Sequence, residues 1–242
     1  MVLHFLVEAA SDAVSGDIVS LTGAEAKHAA VVRRLRVGEE VTVGDGAGVW
    51  LAGVAEEVSP SQVDVRVVSR RVEDAPSPRI VLVQALAKGD RDELAVQAAC
   101  ELGVDEIVPW QASRSVSRWE GSKAVKGRER WATIVREAAK QAHRAWVPRV
   151  SDAVTTADLA ARASGARMLL LDPAAENRLT DVRPDGRDLV LVVGPEGGIA
   201  PEELDRLQAA GAERVLLGAT VLRTSTAGPA AIAVLSAALG RW

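Results

Sequence analysis

The run DLVLVVGPEGGIAPEEL, residues 188–204, decides how this chain is read. Leu189 to Val193 are apolar without a break. A segment with no polar alternation is covered on both faces, which is the pattern of a strand in a parallel sheet. Gly194-Pro195-Glu196-Gly197-Gly198 stops it, and Pro201 with Glu202 and Glu203 then opens a helix. Proline fits a first helical turn, and the two carboxylates suit the positive end of the helix dipole. In open α/β sheets, ligands bind beyond the carboxyl ends of strands. The glycine loop is therefore a candidate site. It is neither G-x-G-x-x-G nor G-x-x-x-x-G-K-[ST], and Pro195 removes an N–H where a phosphate nest needs one. A pyrophosphate is not the expected ligand, although glycines still admit close backbone approach. A tight strand–helix turn accounts for these residues equally well, so the loop alone leaves both readings open.

Working outward, the same grammar repeats. RIVLVQALA (79–87), DEIVPWQA (105–112), RMLLLD (167–172) and AERVLLG (212–218) read as further strands. RDELAVQAACELG (91–103) reads as a helix with apolar positions at Leu94, Ala98 and Leu102, closed by Gly103. A long basic helix is predicted over about 122–146, shorter ones over 155–164 and 200–211, and a last one over 226–240. Strand alternating with helix predicts an α/β domain with a mainly parallel sheet. Upstream the pattern differs. DIVSLT (17–22), EEVTVGD (39–45), VWLAGVAEEV (49–58) and QVDVRVVSRRV (62–72) are short β-type segments around one helical stretch, 23–36. They predict a small β-barrel. EDAPSPR (73–79), with two prolines, reads as a linker, which divides the chain into 1–74 and 75–242.

Composition excludes several classes. No apolar run approaches the roughly 20 residues of a membrane span, and the first residues lack the basic start of a signal peptide, so a bacterial-type cytoplasmic protein is expected. Cys100 stands alone, and His4, His28 and His143 are far apart, so neither an internal disulfide nor a zinc site is expected. The net charge of −4 argues against a general nucleic-acid binder. Between Arg114 and Arg149, however, ten Lys or Arg face three Glu, and Arg33-Arg34-Leu35-Arg36 forms a second basic cluster. Local patches decide phosphate contact; a solvated helix face is the plain alternative.

A second loop completes the pattern. VLLGATVLRTSTAG (215–228) leaves a strand and places Arg223 and three hydroxyls before the last helix. LVVGPEGGIAPEEL followed by VLLGATVLRTSTAG resembles the SPOUT superfamily of S-adenosylmethionine-dependent RNA methyltransferases. The closer resemblance is to its 16S ribosomal RNA uridine-N3 methyltransferase family. HAAVVRRLRVGEEVTVGDG (28–46), KGDRDELAVQAACELGVDEIVPWQASRSV (88–116) and REAAKQAHR (136–144) are similar to that family's other segments, so the likeness spans nearly the whole chain.

The resemblance implies a small PUA-like β-barrel joined to a SPOUT α/β domain, with a trefoil knot and donor site over about 168–230. It implies S-adenosyl-L-methionine as methyl donor, no metal, a homodimer, and 16S rRNA in the small ribosomal subunit as substrate. It further implies that the target is uracil 1498 in conventional rRNA numbering. The positions matching the donor site are Leu171, Gly194, Glu196, Gly198, Ile199, Leu217, Gly218, Val221, Leu222 and Arg223. The chain departs from the family at His4, where Arg is common, and at Ser225, where the family places a Glu in the site loop. That carboxylate is therefore not available as a base here.

Uridine N3 carries a proton at neutral pH. Methylating it requires removal of that proton, alignment with the donor, and stabilisation of charge spreading onto O2 and O4. Arg223, permanently charged, is the candidate for the developing oxyanion; a salt bridge holding the last helix is its structural alternative. Glu196 is the candidate proton acceptor, with orientation of its own loop as the alternative. Thr224, Ser225 and Thr226 are expected to shape the turn and cap the last helix. Arg33, Arg34, Arg36, Arg114, Arg118 and Arg144 are the candidate RNA contacts. Trp119, Trp131 and Trp146 are expected to be buried rather than stacked on bases. Rival readings are a SPOUT enzyme acting on another base or a ribose 2′-OH, a non-catalytic RNA-binding or ribosome-assembly protein, and a dinucleotide-dependent oxidoreductase, the last lacking its glycine fingerprint.

Overall fold

A computed structural model describes residues 2–242. The chain divides into two compact units, residues 1–75 with 139–147, and residues 76–138 with 148–242. Residues 139–147, which the sequence reading leaves in the second domain, thus pack with the first. The Val147 amide donates to Gly46 O at 2.9 Å, that of Gly48 to Ala145 O at 3.0 Å, and Trp146 Nε1 to Glu73 O at 2.9 Å. Gly48, at φ +105°, is needed for that approach: a Cβ there would lie 2.6 Å from Glu73 O and 2.9 Å from the Trp146 ring.

In the first unit, β1 (Leu3–Leu6), β2 (Ile18–Thr22), β3 (Glu40–Gly44), β4 (Val49–Val58) and β5 (Gln62–Val72) form one mixed sheet in the order β1-β3-β4-β5-β2. No ladder joins β1 to β2 among the described residues, so the sheet is a curled half-barrel rather than the closed barrel expected. Its register is set by alternation: Val63, Val65 and Val67 turn inward beside Val41, Val43 and Leu51. The helical stretch is shorter than expected. It comprises α1 (Gly23–Lys27) and a π-helical turn over His28–Val32, leaving Arg33-Arg34-Leu35-Arg36 outside any helix.

The second unit carries β6 (Ile80–Ala85), β7 (Glu106–Trp110), β8 (Arg149–Val150), β9 (Arg167–Leu171), β10 (Leu189–Val193) and β11 (Glu213–Val215), all parallel, in the order β11-β9-β10-β6-β7-β8. Every residue of β6, β7 and β10 is buried, including polar Gln84 of β6 and Glu106 of β7. One face of the sheet packs on α4 (Thr156–Arg162) and α5 (Pro201–Ala209) through Leu159 and Leu207. The other meets α2 (Arg91–Glu101) and α6 (Thr224–Ala238). The buried face of α2 is Asp92, Ala95, Val96, Ala99 and Cys100. It lies one position away from the predicted stripe, and Leu94 is 52% exposed. The long helix α3 runs Ser122–Gln141.

Because the sheet is parallel, the carboxyl ends of β6, β9, β10 and β11 share one edge. The loops at 86–90, 172–178, 194–200 and 216–223 follow them. All ten expected donor-site residues lie at this edge.

Candidate active site

Of these four loops, those at 86–90 and 194–200 are held in place by the contacts below, and the one at 216–223 is left open. The glycine loop folds back on itself, with the Gly198 amide donating to Pro195 O at 2.8 Å. A Cβ on Gly194 would lie 2.9 Å from the Ile199 amide nitrogen and 3.0 Å from the Gly198 carbonyl carbon, so only glycine fits. Gly198 sits at φ +72°, where L side chains are strained, and a Cβ there would point into open space.

Thr224, at the start of α6, ties this loop to its neighbours. Its buried hydroxyl donates to Gly194 O at 2.9 Å and accepts from Gln84 Nε2 at 2.9 Å. Gln84, next to last in β6, lies opposite Val193 and is fully buried. Its Nε2 also donates to Ala85 O, while Oε1 has no partner among the described residues. Nothing in the sequence pattern distinguishes Gln84, one polar residue in an apolar strand, except its incongruity. The expected capping by Thr224, Ser225 and Thr226 is corrected here. Arg223 occupies the N-cap position with no side-chain cap, and the Thr224 hydroxyl serves the cross-tie instead.

Glu196 is tethered. Its Oε1 accepts from the Lys88 amide at 3.1 Å and from Arg91 Nη1 at 3.0 Å. Burial pushes its carboxyl up, but hydrogen bonds from its own amide, from Lys88 and from Arg91 outweigh this and hold it below the usual carboxylate range. A carboxylate so stabilised accepts a proton poorly, which argues against its expected part as base. The 86–91 turn is itself fixed by buried Asp92, whose Oδ2 accepts from the Ala87 amide at 3.0 Å and whose carboxyl burial pushes up.

Arg114 is exposed but committed to the glycine loop. Its Nη1 donates to Gly197 O at 2.8 Å, and Arg118 donates to Ser113 O at 3.2 Å. Buried Glu203 anchors this segment by accepting from the Ser113 amide and hydroxyl, both at 3.0 Å, and from Thr156 Oγ1 at 2.6 Å. Arg33, Arg34, Arg36 and Arg144 belong to the first unit. The three in the 33–36 segment are exposed. Of the tryptophans, Trp131 is buried and meets half-buried Trp119 edge-on, with ring centroids 5.0 Å apart. Half-buried Trp146 holds the carbonyl of Glu73.

The loop at 216–223 is different. Gly218 (φ +147°), Ala219, Thr220 and Val221 are exposed, Val221 by 77%. The amides of Leu217 through Leu222 make no hydrogen bond among the described residues. Arg223 is also exposed, and its guanidinium has no partner among them, so the salt-bridge alternative has no acceptor here. Backbone donors are obligatory hydrogen-bonding groups. A row of six unpaired ones beside two glycines suits a polar ligand gripped by main chain, and the S-adenosylmethionine donor set fits this loop.

Fold and loops together define a class. A family model described as an RNA methyltransferase domain matches residues 74–236, and one described as an RNA methyltransferase PUA domain matches residues 21–68. Ribosomal RNA small subunit methyltransferase E of Mycobacterium bovis is 42% identical over 94% of this chain and 89% of its own length. The protein of that name from Bacillus subtilis is 32% identical over 90% of this chain and 89% of its own. A methyltransferase of Legionella pneumophila, solved with bound cofactor SAM, superposes with a TM-score of 0.87 at 30% identity, covering 98% of each chain. Ribosomal RNA small subunit methyltransferase E of Neisseria gonorrhoeae, bound to S-adenosyl methionine, gives 0.88 at 29% identity over 98% of each. The chain belongs to the family of ribosomal RNA small subunit methyltransferases E, as its motifs implied. The methyl donor of that family is S-adenosylmethionine.

Proposed function

We propose that this protein transfers a methyl group from S-adenosylmethionine to N3 of one uridine of small-subunit rRNA, the position equivalent to uracil 1498, within an assembled or partly assembled subunit. The observation that supports it best is the open loop. Unpaired amides at 217–222 lie at the same sheet edge as Gly194 and Gly198, where a backbone-bound donor requires them. Leu171, Gly194, Gly198, Ile199, Leu217, Gly218, Val221 and Leu222 would hold the donor, whose sulfonium supplies an electrophilic methyl. The order β11-β9-β10-β6 is compatible with the trefoil knot that the family resemblance implies.

Arg223 is assigned the uracil oxyanion. It is permanently charged, exposed at the site and uncommitted to any carboxylate. Glu196 is assigned a positioning role, holding the glycine loop to the 86–91 turn. Arg114 extends that role through Gly197 O. Arg33, Arg34, Arg36, Arg118 and Arg144 are assigned to RNA phosphates. A net charge of −4 supports a substrate that offers shape besides phosphate. The protein is assigned as a homodimer, as the family resemblance implies.

The test is methyl transfer from labelled S-adenosylmethionine to small-subunit rRNA. The parent should label it, and Gly198→Val should not, while binding of S-adenosylhomocysteine disappears in calorimetry. Retained binding in a folded Gly198→Val protein would place the donor elsewhere.

A further inference from the structure

The glycine loop is held on its outer side by a residue that is itself exposed. The aliphatic stem of Arg114 runs along Gly197: a Cβ on that glycine would stand 3.5 Å from both Cβ and Cδ of Arg114. Its Nη1 donates to Gly197 O at 2.8 Å, and no other donor meets that oxygen among the described residues. The carbonyl of Gly197 and the amide of Gly198 belong to one peptide group, and that amide donates to Pro195 O at 2.8 Å. Arg114 therefore fixes one end of a peptide whose other end closes the turn. Glycine on both sides gives this peptide wide conformational freedom. A ligand that binds the loop must restrict it, unless the restriction is already in place.

The backbone that carries Arg114 is fixed on both sides. The Ser115 amide donates to Ala112 O at 3.1 Å, and that of Trp119 to Gln111 Oε1 at 2.9 Å. Glu203, which holds Ser113, also accepts from the Ala200 amide at 3.3 Å, where the glycine loop enters α5. The guanidinium is less constrained. One of its five N–H donors has a partner among the described residues, and the rest remain for an anion. Residues 112–118 carry Arg114 and Arg118 and no acid. A planar fork can serve a carbonyl with one nitrogen and a phosphate with another, which a point charge does less well.

We infer that Arg114 couples the two substrates: an RNA phosphate on its free N–H groups locks the guanidinium against Gly197 O, and the loop so ordered binds the methyl donor more tightly. Fixing an arginine side chain costs rotamer entropy. Whichever substrate arrives first meets that cost, and the second then binds a site already ordered. Linkage makes the effect reciprocal, so the donor tightens RNA binding by the same factor. The inference rests on the RNA methyltransferase reading and adds to it cooperation between donor and RNA through one side chain.

The test measures the Kd of labelled S-adenosylhomocysteine by equilibrium dialysis, without and with saturating unmethylated small ribosomal subunits, on the full chain. In the parent the subunits should tighten it at least about fivefold, the lower end of ordinary coupling. Arg114→Met keeps the stem along Gly197 and removes the fork, and the ratio should fall to about one. Arg118→Met removes a neighbouring cation that has no bond to the glycine loop. It should weaken subunit binding and keep the parental ratio. A parent with a ratio of one, or an Arg118→Met protein that also loses the ratio, overturns the proposal. So does an Arg114→Met protein whose affinity falls equally with and without subunits, the result expected if Arg114 only braced the loop or met the donor's own carboxylate. Methyl transfer from labelled S-adenosylmethionine to the subunits is measured on the parent alongside. If it persists while the ratio is one, only the coupling is refuted; if it is absent, the underlying reading fails too.

Discussion

Replacing Thr224 by valine removes one hydroxyl and almost no volume. Two buried hydrogen bonds of 2.9 Å go with it, to Gly194 O and from Gln84 Nε2. Gln84 keeps its bond to Ala85 O, but the Gly194 carbonyl loses its tie to α6. Each such bond contributes about 0.5–1.5 kcal/mol net, so the loss is about 1–3 kcal/mol. For a chain of this size, 2 kcal/mol lowers Tm by about 4–8 °C. The same substitution frees the glycine loop from the start of the last helix. Ordering it again on binding should cost about 1.4 kcal/mol, a tenfold weaker Kd for S-adenosylhomocysteine. Thr224→Ser restores the hydroxyl and should recover both quantities to within a few tenths of a kcal/mol. Urea unfolding and titration calorimetry on the three proteins read the result. A valine variant as stable as the parent with unchanged affinity would refute the cross-tie, as would a serine variant no better than valine.

Arg223→Ala and Arg223→Lys should each cut turnover at least about tenfold, or roughly 1.4 kcal/mol. Tm should stay unchanged because the side chain is exposed and unpartnered; an early-unfolding Arg223→Ala protein with parental turnover would make it a structural clamp. Gly194→Ala drives a Cβ to 2.9 Å from the Ile199 amide nitrogen, so donor affinity should fall sharply in a protein that still folds, and parental affinity would show that this turn is not part of the site. His4 has a folded pKa of about 4 against 6.5 unfolded. The unfolded chain binds more protons between those values, so the stabilisation is present above 6.5 and is lost as pH falls towards 4. Unfolding free energy should drop by about 2 kcal/mol between pH 7 and pH 5, and His4→Phe should remove that part of the slope; equal slopes in both proteins would contradict it.

Much of the second unit was legible because burial on two faces leaves a direct mark. An unbroken apolar run such as Leu189–Val193 admits one environment, and the glycine loop announces a strand end. The family resemblance rested on two such loops together, and the family matches uphold it. What could not be read depended on partners distant in sequence. Whether β1 and β2 meet is decided by how far the sheet curls, and the two strands end unpaired to each other. Residues 139–147 continue a helix of the second unit, yet join the first through main-chain bonds to Gly46 and Gly48 that no side-chain pattern encodes. Small residues crowd α2, and where Ala95 and Ala99 suffice to fill the contact, Leu94 is left outside. At the site, Arg223 and Glu196 were visible as charges in the right loops. Gln84 was not, because its function rests on one hydroxyl 140 residues away.

Small-subunit rRNA treated with this protein and methyl-labelled S-adenosylmethionine, then digested to nucleosides and resolved by mass spectrometry, tests the central claim most directly. The account predicts label in 3-methyluridine, and with the Arg223→Ala protein no more than about a tenth of the parental rate. Label in a 2′-O-methylated nucleoside or another base would contradict the assignment of N3, and no label in any nucleoside would contradict the reaction itself.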